Sequence, residues 1–304
     1  MLEFHTLDVF TDRPFAGNPL AVVLGAETLS AAQMQIIARE FNLSETIFVM
    51  PPVNPAHTAR VRIFFPTAEI PFAGHPTIGC AILLACRMQP EGDFTRDLVL
   101  EEEAGPVPVR VTRRGTRCEA EFTAPLLPTA APGSAPRDLI ARALDLDPGA
   151  IGFGQHAPGI WQGGPAFLYV PVADLAKLAR ARPIEPHWSA LMDSAGVDSA
   201  YLYTPGTDCD FRARMFSPTA GIPEDPATGS ATAILAAQLR AARALRSGVQ
   251  AFSLRQGVEM GRPSELRLTV DYTPEGIRAA HIRGAAVPLS QGRIACPPAD
   301  VTTP

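Results

Sequence analysis

The sequence predicts an α+β protein of two pseudo-symmetric halves, each a curved, mostly antiparallel sheet wrapped around one central helix. Three observations carry this. First, residues 62–71 read RIFFPTAEIP and residues 214–223 read RMFSPTAGIP, with seven of ten positions identical at an offset of 214 − 62 = 152, half the chain. That period is far too long for a solenoid and reads as an internal duplication. Second, each copy runs through a glycine-containing turn into an Ala-rich helix with no polar face, which is the mark of a buried helix. Third, strand-like runs cluster with short turns between them and do not alternate one by one with helices, which argues against a doubly wound sheet.

Taken in order, the first half offers strand-like runs at 3–10, 21–24, 46–50, 59–65, 98–102, 107–112 and 118–122. Its helix-like runs are 31–41 and 77–86. The second half offers strands at 166–172, 199–203, 210–216, 252–256, 264–272 and 276–283, and helices at 136–144, 172–181, 188–195 and 231–240. The Pro- and Ala-rich stretch 125–135 reads as the linker between an N-terminal half, 1–124, and a C-terminal half, 136–284. A terminal strand, 285–304, is a candidate for completing the first half. Trp161-Gln162-Gly163-Gly164-Pro165 reads as turn chemistry before a strand.

At 304 residues, 46% apolar and 19% charged, the chain has enough apolar sequence for a packed core. A net charge of −5 gives no footprint for nucleic acid or an anionic membrane. No run approaches the ~18 apolar residues of a membrane span, and the acidic, alternating start does not read as a signal peptide. Five scattered cysteines with no CxxC pair argue against a disulfide framework and for a reduced, cytoplasmic setting. The six histidines show no metal spacing, so no metal is expected.

The candidate chemistry lies at the two helix entries. A buried helix N-terminus leaves N–H groups unpaired and carries a positive partial charge, which suits a carboxylate or oxyanion. Gly74 and Gly229 would let such a ligand approach the backbone, with Ser230 beside it and His75 and Asp225 as polar additions. Two such ends facing each other across a cleft would clamp a small acid. Plain capping is the competing explanation, with Pro76 and Pro226 as first-turn residues and Asp225 as N-cap. Glu45 opens a strand between Leu43 and Ile47, where desolvation would tune it for acid/base work. It could instead close a capping box with Asn42, or be a solvated loop carboxylate. A serine-hydrolase elbow, a Walker loop and a dinucleotide fingerprint are all missing.

These pieces occur in a recognisable order: DVFTDRPFAGNPLAVV from Asp8, NLSET from Asn42, PFAGHPT from Pro71 and EDPATGSA from Glu224. The chain thereby resembles the PhzF family, phenazine-biosynthesis-type isomerases with the diaminopimelate epimerase-like fold. The resemblance implies an active site between two domains, a homodimer, and no cofactor or metal. It implies that Glu45 is the acid/base glutamate, that Gly74 and His75 are the glycine–histidine pair, and that Asp225, Gly229 and Ser230 complete the site. Racemases of the same fold carry a cysteine in each helix-entry loop; here neither loop has one, and Cys80 lies deeper in the apolar helix. The expectation is a cofactor-independent isomerase. It would shift a proton on a small unsaturated carboxylic acid, as the family's best-known reaction does on trans-2,3-dihydro-3-hydroxyanthranilate. The alternatives are a non-catalytic small-acid-binding protein, and a hydrolase, lyase or epimerase on the same fold.

Overall fold

The computed structural model describes residues 1–299, which divide into two compact units, 1–125 with 283–299 and 126–282. Residues 300–304 of the expected terminal strand lie outside the described residues.

In the first unit the chain runs β1 (Leu2–Val9), β2 (Asn18–Leu24), α1 (Ala31–Phe41), β3 (Glu45–Met50), β4 (Ala59–Phe64), β5 (Glu69–Ile70), α2 (Gly74–Met88), β6 (Phe94–Glu102), β7 (Gly105–Arg114) and β8 (Arg117–Thr123). Neighbouring strands pair antiparallel except at β2–β3 and β4–β6, which are parallel. The helix α1 starts where Ser30 and Gln33 form a reciprocal capping box. It ends at Asn42, whose left-handed φ of 50° closes the helix and turns the chain toward β3. Asn42 is therefore the C-cap of α1, not the N-cap of a helix through Glu45. Met34, Ile37 and Ala38 pack α1 onto Val23, Phe48 and Phe64.

The helix α2 is buried from Gly74 through Leu83 and packs against β1, β2, β3, β6, β7 and β8. Its sequence permits this because Gly79 lets the backbone come close to the sheet. A Cβ there would lie 2.5 Å from Leu20 Cδ2 and 2.8 Å from Val9 Cγ2. Gly79→Val is accordingly expected to cost about 3 kcal/mol by overpacking, read by urea denaturation. Gly149→Ala, whose Cβ meets nothing within 4 Å, should stay within about 0.5 kcal/mol.

The second unit runs β9 (Thr129–Ala130), α3 (Arg137–Ala143), β10 (Gly159–Gln162), β11 (Ala166–Pro171), α4 (Leu175–Arg180), α5 (His187–Ala195), β12 (Ala200–Pro205), β13 (Phe211–Ser217), β14 (Ile222–Asp225), α6 (Gly229–Ala241), β15 (Gly248–Gln256) and β16 (Ser264–Thr273). Its parallel pairs are β11–β12 and β13–β15, at the same two steps of the order as in the first unit. The helix α6, buried from Gly229 through Leu239, packs against β10, β11 and β16. Helices α3, α4 and α5 cover β11 and β12 through Ile140, Leu144, Leu178, Trp188 and Leu191. The final strand β17 (Gly276–Ile294) begins in this unit and ends in the first, where it pairs antiparallel with β1.

Four expectations need correction. Trp161 and Gln162 belong to β10, paired with Phe167 and Ala166 of β11, and only the residues after them turn. The stretch 126–135 packs within the second unit: Thr129 and Ala130 pair with β10, and Ser134 N–H donates to Ser194 O. The strands expected separately at 276–283 and 285–304 are one strand, β17, which continues through Gly284 and Pro288 to Ile294, with a register shift in its pairing with β1 between Thr6 and Leu7. Finally, β14 ends at Asp225 and the N-cap of α6 is Thr228, so Asp225 and Pro226 precede the helix and do not cap it.

Candidate active site

In the first unit the structure brings Glu45 and His75 together. Glu45 is the first residue of β3, beside Leu20 of β2. His75 is the second residue of α2, since that helix starts three residues earlier than the sequence suggested. The Glu45 carboxylate (Oε2) lies 3.1 Å from His75 Nδ1, and the side chain of Asn18 at the start of β2 lies 3.4 Å from the same nitrogen. Both partners are buried, Glu45 at 7% and His75 at 2% exposure.

Burial drives the His75 pKa down to about 3, against a smaller upward pull from a hydrogen bond to the Pro19 backbone. The imidazole is thus held neutral, and its 3.1 Å approach to Glu45 is a close contact and not an ion pair. The ring's Nε2 is buried without a partner, so the bond to Pro19 runs through Nδ1. That assigns the proton to Nδ1 and leaves Nε2 as a bare acceptor. Gly74, the residue before His75, opens the helix. Cys80, one turn further in, is fully buried, and that burial pushes its thiol well above its usual range. A thiol so held is a poor base.

In the second unit the structure gathers Asp225, Gly229 and Ser230 at the entry to α6. Asp225 is 4% exposed and accepts a 2.5 Å hydrogen bond from Thr228 Oγ1. Gln256, the last residue of β15 and fully buried, ties this loop together. Its Nε2 donates to Asp225 O at 2.8 Å and to Thr228 Oγ1 at 3.0 Å, and its Oε1 accepts from Thr228 N–H at 3.2 Å. The next residue, Gly257, has φ +72°, and a Cβ there would lie 2.7 Å from Pro226 O. Only glycine lets β15 end this close to the loop. Gly229 and Ser230 are buried in the first turn of α6.

Sequence reasoning assigned no role to Asn18, Glu102 or Gln256. Asn18 lies within the DVFTDRPFAGNPLAVV stretch, which was a signal without a chemical role. Glu102 and Gln256 read as the polar ends of strands. Among the described residues, no group of three or more His, Cys, Asp or Glu side chains is placed to hold a metal ion. No helix among them is long and apolar enough to cross a membrane.

Residues 7–292 match the family profile described as phenazine biosynthesis-like protein, PhzC-PhzF. An uncharacterised isomerase of Mesorhizobium japonicum is 42% identical over 94% of this chain and 96% of its own. Trans-2,3-dihydro-3-hydroxyanthranilate isomerase of Pseudomonas aeruginosa is 36% identical over 96% of this chain and 99% of its own. The solved structure of a predicted epimerase from Pseudomonas aeruginosa superposes with a TM-score of 0.80 at 32% identity, covering 97% of this chain and 99% of that one.

Proposed function

The chain belongs to the phenazine biosynthesis-like, PhzC-PhzF family of isomerases and epimerases, and from that premise we propose that it shifts a proton within a small unsaturated carboxylic acid, with Glu45 as the acid/base. The observation that carries this is the buried contact of Glu45 with a neutral His75 at a helix N-terminus. The Glu45 carboxylate removes a proton from carbon, and the electron pair left behind spreads into the conjugated acid. The same carboxyl group then returns the proton at a second carbon, so substrate and product have equal mass. His75 keeps its Nδ1–H on the Pro19 backbone and its ring against Glu45, while Nε2 is free to accept a hydrogen bond from a substrate hydroxyl or amine. Backbone N–H groups at Gly74 and Gly229, with the Ser230 hydroxyl, hold the substrate carboxylate and the charge that develops on it. Asp225, fixed by Thr228 and Gln256, orients substrate or relays a proton.

Two further parts of the reading rest on the repeat. The shared order of parallel and antiparallel pairs supports a pseudo-symmetric origin by duplication, with a diaminopimelate epimerase-like sheet curved around α2 and another around α6. The absence of a cofactor and the homodimer rest on the family resemblance, and the cytoplasmic setting rests on the five scattered cysteines.

Incubation in D₂O with a panel of unsaturated acids, including trans-2,3-dihydro-3-hydroxyanthranilate, tests the reaction. The expected result is deuterium in the product and no other change of mass. A product of different mass points to hydrolysis or elimination, and no turnover across the panel overturns the isomerase reading.

A further inference from the structure

We propose that Glu102 acts as a neutral carboxylic acid, a positioning residue that donates a hydrogen bond to Thr77 and so fixes the helix entry carrying Gly74 and His75. Its consequence for activity rests on the proton-transfer reading above; its protonation does not.

The geometry leaves two arrangements of protons. Thr77 Oγ1 in the first turn of α2 lies 2.7 Å from Ala73 O and 2.6 Å from Glu102 Oε1 at the end of β6. A hydroxyl has a single proton, and a backbone carbonyl can only accept. Either Thr77 donates to a charged Glu102, leaving Ala73 O to the Thr77 N–H at 3.3 Å, or Thr77 donates to Ala73 O and Glu102 Oε1 carries its own proton and donates to Thr77. The second oxygen of Glu102 decides between them. The other oxygen, Oε2, is buried without a partner. A neutral C=O tolerates that position, whereas a carboxylate would leave an uncompensated buried charge.

The groups facing Glu102 agree. On α2 they are Thr77 and the neutral thiol of Cys80. On β7 its partner is Gly105, and on β4 Arg60 pairs with Glu101 and reaches Glu103 Oε1 at 3.5 Å. That arginine serves the neighbouring glutamate, and the charge of Glu102 is not among those it offsets. Burial raises its pKa to about 8, outweighing the downward pull that a Thr77 hydroxyl donating to the charged form would exert. The same turn is braced by a second bond, from Ala104 N–H to Pro71 O, just before α2.

The second unit offers a comparison. Strand β15 holds the place of β6 in the order of pairings, and it too ends in a residue that braces a helix entry, Gln256. The counterpart of Thr77 there is Thr232, the fourth residue of α6, and its hydroxyl donates to the N-cap carbonyl, Thr228 O at 2.9 Å. Thr77 stands in the same relation to Ala73 O, the N-cap carbonyl of α2. With its proton placed there, the contact with Glu102 takes a proton from the carboxyl group.

Glu102→Gln carries the test, with Glu102→Ala as its counterpart. The Gln variant should keep kcat and KM within about twofold of the parent at pH 7, while the Ala variant loses about tenfold or more in kcat with native circular dichroism. The parent should lose kcat above about pH 8 as Glu102 ionises, and the Gln variant should not.

Two readouts need no substrate. The infrared C=O stretch of a protonated carboxylic acid should be present in the parent at pH 6.5 and missing in Glu102→Gln. In the unfolded chain this carboxyl ionises near its ordinary 4.5, while in the fold it keeps its proton to about 8. Between those values the unfolded state holds fewer protons, so this group's contribution to stability falls as pH rises. The urea midpoint of the parent should drop relative to Glu102→Gln across that window. An unchanged infrared band, or a Gln variant as impaired as the Ala variant, overturns the assignment. If no acid is turned over, the isomerase reading fails while the infrared and urea results still decide Glu102.

Discussion

Glu45→Gln is expected to lower proton exchange about 10³-fold while leaving the fold intact, since general acid–base groups contribute roughly 10²–10⁴. The residue is 7% exposed and its Oε2 lies 3.1 Å from His75 Nδ1. A glutamine fits the same volume and can keep an oxygen at that contact, so the variant removes basicity and little else. Its melting temperature should stay within a few degrees of the parent. Glu45→Asp separates basicity from reach. It keeps a carboxylate but draws it back toward β3, and a misplacement of about 1 Å can cost about 10². The expected order is parent, then Asp, then Gln, in single-turnover deuterium incorporation. Full exchange by Glu45→Gln would remove Glu45 from the reaction. Exchange lost together with the native melting transition would assign Glu45 a structural role.

The elements with strong local signals were legible in the chain. Helix α1 was expected at 31–41 and spans Ala31–Phe41, because Ser30 and Gln33 cap it and its apolar residues keep helical spacing. The strands with clear alternation fell within a few residues of their places. The elements that escaped were β5, β9, β10 and β14, of two to four residues each. Runs that short have no periodicity to read, and they exist because a neighbouring strand offers them an edge. The site divides in the same way. Glu45 and His75 stood out because a charged or titratable side chain interrupts an apolar context. Glu102 did not, because its character comes from Thr77 and Ala73, residues about 25 positions away in sequence that only the fold brings beside it. Gln256 escaped for a related reason: nothing in SLRQG indicates that its amide will hold a loop 28 residues earlier.

Arg214→Ala is expected to destabilise the protein by about 3–5 kcal/mol, the cost of breaking a buried ion pair from one side. The repeat makes the comparison informative, because Arg62 holds the matching place in the first copy. Both arginines grip a glutamate with two parallel bonds, Arg62 to Glu69 at 2.6 Å each and Arg214 to Glu224 at 2.8 Å each. Each also lies over a phenylalanine two residues on, at 5.3 Å for Phe64 and 4.7 Å for Phe216. The environments differ. Arg62 and Glu69 keep 19% and 29% of their side chains exposed, whereas Arg214 and Glu224 keep 8% and 16%. Arg214 Nη1 also donates to the carbonyls of Leu178, Ala179 and Ala181 at the end of α4. Truncating Arg214 strands those acceptors and leaves Glu224 charged beside α6's entry loop. Truncating Arg62 lets water reach Glu69, so Arg62→Ala should cost only about 1 kcal/mol. Arg214→Met removes the same charge but keeps much of the apolar stem, and the double variant Arg214→Met/Glu224→Gln leaves no buried charge behind. That double variant should recover more than half of the loss seen for Arg214→Ala, measured by urea denaturation. If it does not, the stabilisation lies in the bonds to α4 and not in the ion pair. Equal losses at positions 62 and 214 would mean that burial does not distinguish the two copies.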